Sequence, residues 1–147
     1  MSATSQPTAL GMSGELTPGH LRLVDTNLFS AMINAFPHPV FFKDAEFRYI
    51  GCNEPFAAML GRPREDIIGN TVFDLSPPHL ARIYDEADRK LFDEGTTQRY
   101  ASSVRFGDGT NRRGTFFKAV YHDAQGNKLG IIGIFYALEF MLEVMDF

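Results

Sequence analysis

The side chains that most often carry out chemistry are few and widely spaced in this sequence. No two histidines have the spacing of a metal site, since they stand far apart at His20, His38, His79 and His122. The single cysteine, Cys52, excludes an internal disulfide, zinc ribbons and iron–sulfur clusters, and fits a reducing compartment. No basic residue adjoins Cys52 to lower the pKa of its thiol, so we interpret it as a small buried hydrophobic residue. The sequence predicts no metal site and no redox thiol.

Asp44 and Asp74 are the candidates for a general base. A base of this kind, as in small α+β isomerases, is a carboxylate buried in a pocket with a raised pKa. Asp44 instead follows Lys43 at a predicted turn, which the charged pair can fix, and Asp74 stands where we predict a helix cap. No arrangement of nucleophile, base and orienting residue is visible. The sequence therefore predicts a protein that is not an enzyme, with a small isomerase-like enzyme as an alternative.

A further charged residue, Lys118, interrupts the apolar segment Thr115-Phe116-Phe117-Lys118-Ala119-Val120. In a strand, Lys118 shares a face with Phe116 and Val120 because side chains alternate. Its side chain either extends along the outer face of a sheet with the charge in solvent, or reaches an acidic ligand in a pocket. We predict the outer face.

The composition is that of one globular domain. The 147 residues suffice for a single core, and 44% are hydrophobic and 22% charged. The 14 Lys and Arg residues are dispersed against 18 Asp and Glu, for a net charge of −4, so no nucleic-acid surface is predicted. The N-terminal region lacks the pattern of a signal peptide, and no apolar run approaches the roughly 20 residues that span a bilayer. We predict a cytoplasmic protein without a transmembrane segment.

Patterning divides the chain into an arm, one domain and a short extension. Residues 1–20 are rich in Ser, Thr, Pro and Gly and are predicted to be a flexible arm. The domain is predicted over 21–138 and includes an amphipathic helix at 24–36, where apolar residues recur at intervals of three and four. Residues 139–147 form an apolar C-terminal extension.

Within the domain, the predicted order is two strands, several helices and three strands. The strands are predicted at 39–43, 47–52, 97–106, 113–122 and 129–138, and the short helices at 54–60 and 64–68. A longer helix follows Pro77-Pro78 and ends at Gly95, and we assign Asp85, Asp88 and Arg89 to its polar face. Without βαβ alternation, this order predicts an α+β fold with a five-stranded antiparallel sheet and helices packed on one face.

The ordered series of motifs resembles the PAS domain family. In the first half, the resemblance rests on Pro39-Val40-Phe41-Phe42-Lys43-Asp44, Tyr49-Ile50-Gly51-Cys52-Asn53, Leu60-Gly61-Arg62 and Ile67-Ile68-Gly69-Asn70-Thr71. In the second half it rests on Val72-Phe73-Asp74-Leu75, Leu91-Phe92-Asp93-Glu94-Gly95, Asp108-Gly109-Thr110 and Gly130-Ile131-Ile132-Gly133. The series covers about residues 28 to 136. The fold that this family implies agrees with the α+β arrangement above.

The resemblance implies a sensory or regulatory module that binds a small ligand or a protein partner, in bacterial two-component or cyclic-dinucleotide signalling. The covalent flavin adduct of this family needs a cysteine where this sequence has Thr71 or Val72. The covalent chromophore of yellow proteins needs a cysteine where this sequence has Pro78. Both covalent mechanisms are therefore disfavoured. A haem- or flavin-binding sensor of redox state or gas is the alternative. The haem sensors of the family place a histidine inside the long helix, where this sequence has Tyr84 or Ala87, and His79 is the nearest candidate ligand. We predict no cofactor or a small organic ligand.

A pocket between helices and sheet is implied by the same resemblance, and mostly apolar walls with a few polar groups suit a small organic ligand. We predict that these side chains line it: Phe41, Phe56, Met59, Val72, Ile83, Tyr100, Ser102, Phe117 and Ile132.

The two ends of the domain are the predicted partner surfaces. The helix at 24–36 matches the helix that forms dimer contacts in the family, so we predict a homodimer. Ala137 replaces the aspartate that couples the last strand to an output domain in many members, and the apolar residues at 139–147 are a candidate contact for an output partner.

Overall fold

Five antiparallel strands form one sheet, in the order β2-β1-β5-β4-β3. The computed structural model describes residues 28–138. The strands are β1 (Val40–Asp44), β2 (Tyr49–Cys52), β3 (Thr97–Arg105), β4 (Asn111–His122) and β5 (Lys128–Ala137). The five-stranded α+β arrangement that the sequence predicts is confirmed, and the strand bounds differ from the predicted ones by at most two residues.

Residues 28–35 are helical and form α1, which belongs to a separate unit that ends at Ala35. The predicted helix at 24–36 is thus found over its described part, and residues 24–27 lie outside the described residues. So do the predicted arm at 1–20 and the extension at 139–147. No helix in the described part of the chain has the length and apolar character that a membrane crossing needs.

The helices of the sheet domain stand between β2 and β3 in sequence. They are α2 (Glu54–Leu60), α3 (Val72–Leu75) and α4 (Pro78–Glu94), with a 3-10 turn at Arg64–Asp66. The predicted helix at 64–68 is therefore a single 3-10 turn. Aromatic and aliphatic side chains of α2, β1, β2, β4 and β5 form the main core against the inner face of the sheet.

Local side chains start these helices. Asn53 caps α2 by accepting a hydrogen bond from the Phe56 amide, at 3.1 Å. The Thr71 hydroxyl accepts from the Phe73 amide, and the Asp74 carboxylate accepts from the Thr71 amide at 2.9 Å, which forms a capping box. The prediction that Asp74 is a cap is confirmed, and this role occupies the carboxylate.

A close approach of two loops requires glycine. Gly61 ends α2 with φ at 70°, and a Cβ built there would lie 2.8 Å from the Cα of Gly107. Gly107 lies in the turn between β3 and β4, where its amide donates to the Met59 carbonyl at 2.8 Å. The pair ties the end of α2 to this turn, and both segments reach the cavity described next.

Candidate functional site

A cavity of about 420 Å³ lies between the inner face of the sheet and helices α2, α3 and α4. Its wall is mainly apolar, and its aromatic members are Phe41, Tyr49, Phe56, Tyr84, Tyr100, Phe106 and Phe116. The charged residues among the described lining are all basic: Lys43, Lys118 and Arg105. A concave, mainly apolar space with a few polar groups is typical of a small-molecule site.

Two lysines and one aspartate form a buried ionic cluster in the wall of this cavity. Lys43 of β1 donates to Asp88 Oδ2 at 2.5 Å, and Lys118 of β4 donates to Asp88 Oδ1 at 2.7 Å. The lysine side chains are 2% and 3% exposed, and Asp88 of α4 is fully buried. Because each carboxylate oxygen already holds one ammonium group, two positive charges share a single negative one.

Strand register brings the two lysines together on the inner face. β5 lies between β1 and β4, and Gly133 of β5 is the register partner of both Phe41 and Lys118. A Cβ on Gly133 would lie 2.1 Å from the Phe41 ring. Because Gly133 has no side chain, the Phe41 ring fits over it and lies beside Lys43.

The three charges are unevenly compensated. Burial opposes ionisation of Asp88, but the two ammonium groups outweigh it and lower the pKa of the carboxyl. Burial also opposes the charge on Lys43, but its interactions with Tyr49 and Asp88 outweigh burial and raise the pKa. For Lys118, burial and the repulsion from Lys43 exceed the attraction of Asp88, so its pKa is lowered. Lys118 is thus the ammonium group with the least compensation.

Tyrosines surround the cluster. The Lys43 Nζ lies 4.6 Å from the centre of the Tyr49 ring, and the Lys118 Nζ lies 5.0 Å from that of Tyr100, both within range of a cation–π interaction. Burial raises the pKa of Tyr49, Tyr84 and Tyr100, so their hydroxyls stay protonated. The buried Tyr100 hydroxyl has no hydrogen-bond partner among residues 28–138. A buried hydroxyl without a partner is costly, and a polar ligand atom would remove that cost.

Five of the nine side chains predicted to line a pocket are on the wall of this cavity: Phe41, Phe56, Met59, Val72 and Tyr100. The structure places the other four elsewhere: Ile83, Ser102, Phe117 and Ile132. A ligand-binding role for any of the nine stays a prediction.

The periodicity of helix and strand explains why Ile83, Phe117 and Ile132 lie off the cavity wall. Ile83 is 56% exposed because it lies off the buried stripe of α4, and Phe117 is 38% exposed because its neighbours Phe116 and Lys118 point inward. Ile132 alternates in the same way with the buried Ile131. Ser102 shares the face of Tyr100 and Val104 on β3, and its side chain interacts with Tyr84, which lines the cavity.

Lys118 corrects a further prediction. The sequence places Lys118 on a face with Phe116 and Val120, and the structure confirms that shared face, but the face is the inner one. The outer position predicted for Lys118 is therefore wrong. The polar-face assignment of Asp88 is wrong for the same reason, since Asp88 is the counterion of Lys118 in the core.

The remaining chemistry-bearing residues lie away from the cavity. His79 is exposed at the start of α4 and is not among the lining residues, so its position does not favour a haem-ligand role. Cys52 is fully buried, and burial raises the pKa of its thiol to about 11, as expected of a structural cysteine. Asp44 accepts hydrogen bonds from the Glu46 and Arg48 amides, which confirms its role in the turn.

Sequence reasoning missed Lys43 and Asp88 as site residues. One signal for Asp88 was present, because Ala81, Tyr84, Asp88 and Leu91 follow the 3-4-3 spacing of one helix face. Ala81, Asp88 and Leu91 are buried on that face. For Lys43, the signal was a lysine two residues after Phe41 in an apolar strand, and hence on the same face. Its interpretation as a turn residue is wrong.

A family model described as PAS fold matches residues 33–138 of the chain. Among curated proteins, the uncharacterized protein y4lL of Sinorhizobium fredii is 32% identical over 85 residues, which is 58% of this chain and 10% of that protein. The match thus spans about a tenth of the length of this relative.

Solved structures share the fold. The PAS domain of Bordetella pertussis BvgS superposes with a TM-score of 0.69 at 21% identity, over 84% of this chain and 96% of that one. Vibrio cholerae VqmA, in a VqmA-ligand-DNA complex, gives 0.67 at 26% identity, over 82% of this chain and 53% of that one. The phage VqmA-DPO complex gives 0.73 at 18% identity, over 88% of this chain and 60% of that one. The chain therefore spans little more than half of the VqmA proteins.

Proposed function

The chain belongs to the PAS-fold family, and from this membership we propose that it is a sensory and regulatory module that binds a small organic ligand in the cavity. The observation that carries the proposal is the cavity itself, about 420 Å³ with aromatic walls. This volume falls within the range of about 300–1,000 Å³ that is usual for small-molecule sites. The Lys118 ammonium group, which has the least compensation in the buried cluster, gives a ligand a polar group to contact.

The likeness to Vibrio cholerae VqmA supports a ligand-binding role. At 26% identity over 82% of this chain, VqmA has been solved in complex with a ligand and DNA. DNA binding is not transferred to this chain, because the match covers 53% of VqmA and the sequence here shows no basic surface of its own.

A ligand in this cavity would contact both layers of the domain. Lining residues come from β1 and β4 in the sheet and from α3 and α4 in the helical layer. A ligand that binds one arrangement of these layers more tightly than another shifts the population between them. Such a shift is the event that a sensory module passes to its partner.

We include homodimerisation through the helix at 24–36 in the proposal. In the described part of that helix, Leu28 and Met32 are four residues apart, on one face, and are 58% and 57% exposed. Exposed apolar pairs of this kind favour self-association. A partner contact at 139–147 stays a prediction.

The test is native mass spectrometry and an absorption spectrum of freshly purified protein, compared with two variants. Val72→Phe places a larger side chain on the cavity wall, and Ile83→Phe is the control because Ile83 is exposed and lines no part of the cavity. We expect a bound small molecule in the wild type and in Ile83→Phe, and its loss in Val72→Phe.

A wild type that carries no small molecule and takes up none from a cell extract would contradict the proposal. So would a bound molecule that Val72→Phe retains in full. A visible haem or flavin spectrum would identify the alternative sensor class instead.

A further inference from the structure

The structure points to the chemical class of the ligand: we propose that it is a small aromatic monocarboxylate whose carboxylate binds Lys118 and the Tyr100 hydroxyl. This inference rests on the proposed function, because it concerns the same cavity.

The buried cluster holds more positive than negative charge. Both oxygens of Asp88 are occupied, one by Lys43 at 2.5 Å and one by Lys118 at 2.7 Å. The cluster keeps one surplus positive charge on side chains that are at most 3% exposed, and a buried charge without a partner is strongly unfavourable. One ligand carboxylate would supply the missing negative charge.

The number of charges excludes other classes of ligand. A neutral ligand leaves the surplus charge in place, and a cation adds to it. A phosphate dianion at the cluster would reverse the imbalance to one surplus negative charge. Arg105 also lines the cavity, but it is exposed, so solvent screens its charge. A monoanion fits best.

Hydrogen bonding places the carboxylate. An ammonium group has three donors, and Lys118 uses one of them on Asp88. The Tyr100 hydroxyl is buried without a partner among the described residues, and the Lys118 Nζ lies 5.0 Å from the Tyr100 ring. One carboxylate has two oxygens, enough to accept from both side chains.

The walls define the rest of the ligand. Lys118 lies beside two rings, since its Nζ is 5.6 Å from the centre of Phe116 and 5.0 Å from that of Tyr100. Beyond them, Phe41 and Phe56 pack with their ring centres 5.0 Å apart. Flat ring surfaces favour stacking or edge contacts with another ring. An aromatic body attached to the carboxylate would match them.

The experiment measures binding of matched pairs of probes by calorimetry and by chemical shift changes. The probes are benzoate, 2-naphthoate and indole-3-carboxylate, each compared with its uncharged carboxamide. The proteins are the wild type, Lys118→Met, Tyr100→Phe, and Lys90→Met as the control at an exposed lysine of α4.

We expect the wild type and Lys90→Met to bind at least one acid about tenfold or more tightly than its amide, the ratio that corresponds to about 1.4 kcal/mol. Lys118→Met should lose this preference while it still binds the amide. Tyr100→Phe should weaken binding of the acid severalfold and keep part of the preference.

Three results would overturn the inference. If the amides bind at the cavity residues as tightly as the acids, the ligand class is wrong and the proposed cavity function stands. If Lys118→Met keeps the full preference for acids, another group recognises the carboxylate. If no probe binds the wild type while a different molecule is retained on purification, the proposed ligand class is again wrong. If no probe binds and no molecule is retained, the proposed function itself is contradicted.

Discussion

Asn53 and Asp88 are both fully buried polar residues of the domain, and their surroundings differ in one respect. The Asn53 Oδ1 accepts from the Val40 and Phe56 amides at 2.9 and 3.1 Å. Its Nδ2 donates to the His38 and Phe36 carbonyls at 2.8 and 3.3 Å. Asp88 instead contacts two cations with one charge. The amide is balanced by neutral backbone groups, whereas the carboxylate leaves an excess of positive charge.

The difference separates a polar group that the fold satisfies from one that it leaves unbalanced. An asparagine side chain has two donor and two acceptor positions, and four backbone partners satisfy it without any further molecule. The Asp88 cluster cannot be balanced by the described residues alone. Asn53 therefore holds β1, α2 and the segment before β1 in place, whereas the proposed function has a ligand balance the charge of the cluster.

Removal of the Asp88 charge should have the largest effect on stability. Asp88→Asn leaves two buried ammonium groups without a counterion, and loss of one partner of a buried ion pair costs about 3–5 kcal/mol. Urea denaturation at pH 7 measures the change. The control is Asp85→Asn on the same helix, whose pair with the exposed Arg89 is screened by solvent, so its loss should change stability far less.

The pH dependence of this effect has a definite sign. The pKa of Asp88 is lowered in the folded protein, so its carboxylate contributes stability above the ordinary aspartate pKa. That contribution is lost as the pH falls through the lowered value. The gap in stability between wild type and Asp88→Asn should therefore narrow in acid, and a gap that widens there would contradict this role.

Asn53→Ala should have the next largest effect. It leaves the Val40 and Phe56 amides and two carbonyls without the side chain that pairs them, at an expected cost of about 2–4 kcal/mol. Asn70→Ala is the control, because Asn70 makes one exposed hydrogen bond to the Asp66 carbonyl. If Asn53 is purely structural, ligand affinity corrected for the folded fraction should not change. A loss of ligand affinity in folded Asn53→Ala would show that Asn53 also contributes to binding.

Lys118→Met should have the smallest effect on stability, and it tests directly whether Lys118 carries the uncompensated charge. It removes the surplus charge and leaves Lys43 paired with Asp88, so no buried charge loses its counterion and we expect a change within about 1 kcal/mol. Because the pKa of Lys118 is lowered on folding, the unfolded state binds more protons between that value and the ordinary lysine pKa. The stability of the wild type relative to Lys118→Met should rise with pH in that window.

Denaturation of both proteins at a series of pH values that approaches the ordinary lysine pKa checks this rise. A relative stability that falls with increasing pH would show that Lys118 is fully compensated in the empty cavity. A large loss of stability in Lys118→Met at pH 7 would likewise remove the distinction between Lys118 and Asn53.

Sequence reasoning reached the elements and their local caps. The strand bounds, the ends of α2 and α4, and the capping roles of Asn53 and Asp74 follow from patterns that extend over a few residues. Hydrophobic periodicity and side chain–backbone hydrogen bonds act at short range, so the sequence displays them directly. Five of the nine predicted lining residues also followed, because they lie on the inner faces of elements whose phase was correct.

The charged part of the site was decided by tertiary structure alone. Asp88 stands 45 residues from Lys43 and 30 from Lys118, and the three meet because β1, β5 and β4 are adjacent and α4 packs across them. A charged residue on a buried stripe is assigned to solvent unless its counterion is known, since an unpaired buried charge is too costly. That counterion comes from distant strands, which is why the sequence determined the fold and most of the apolar wall, while only the packed domain determined where its charges lie.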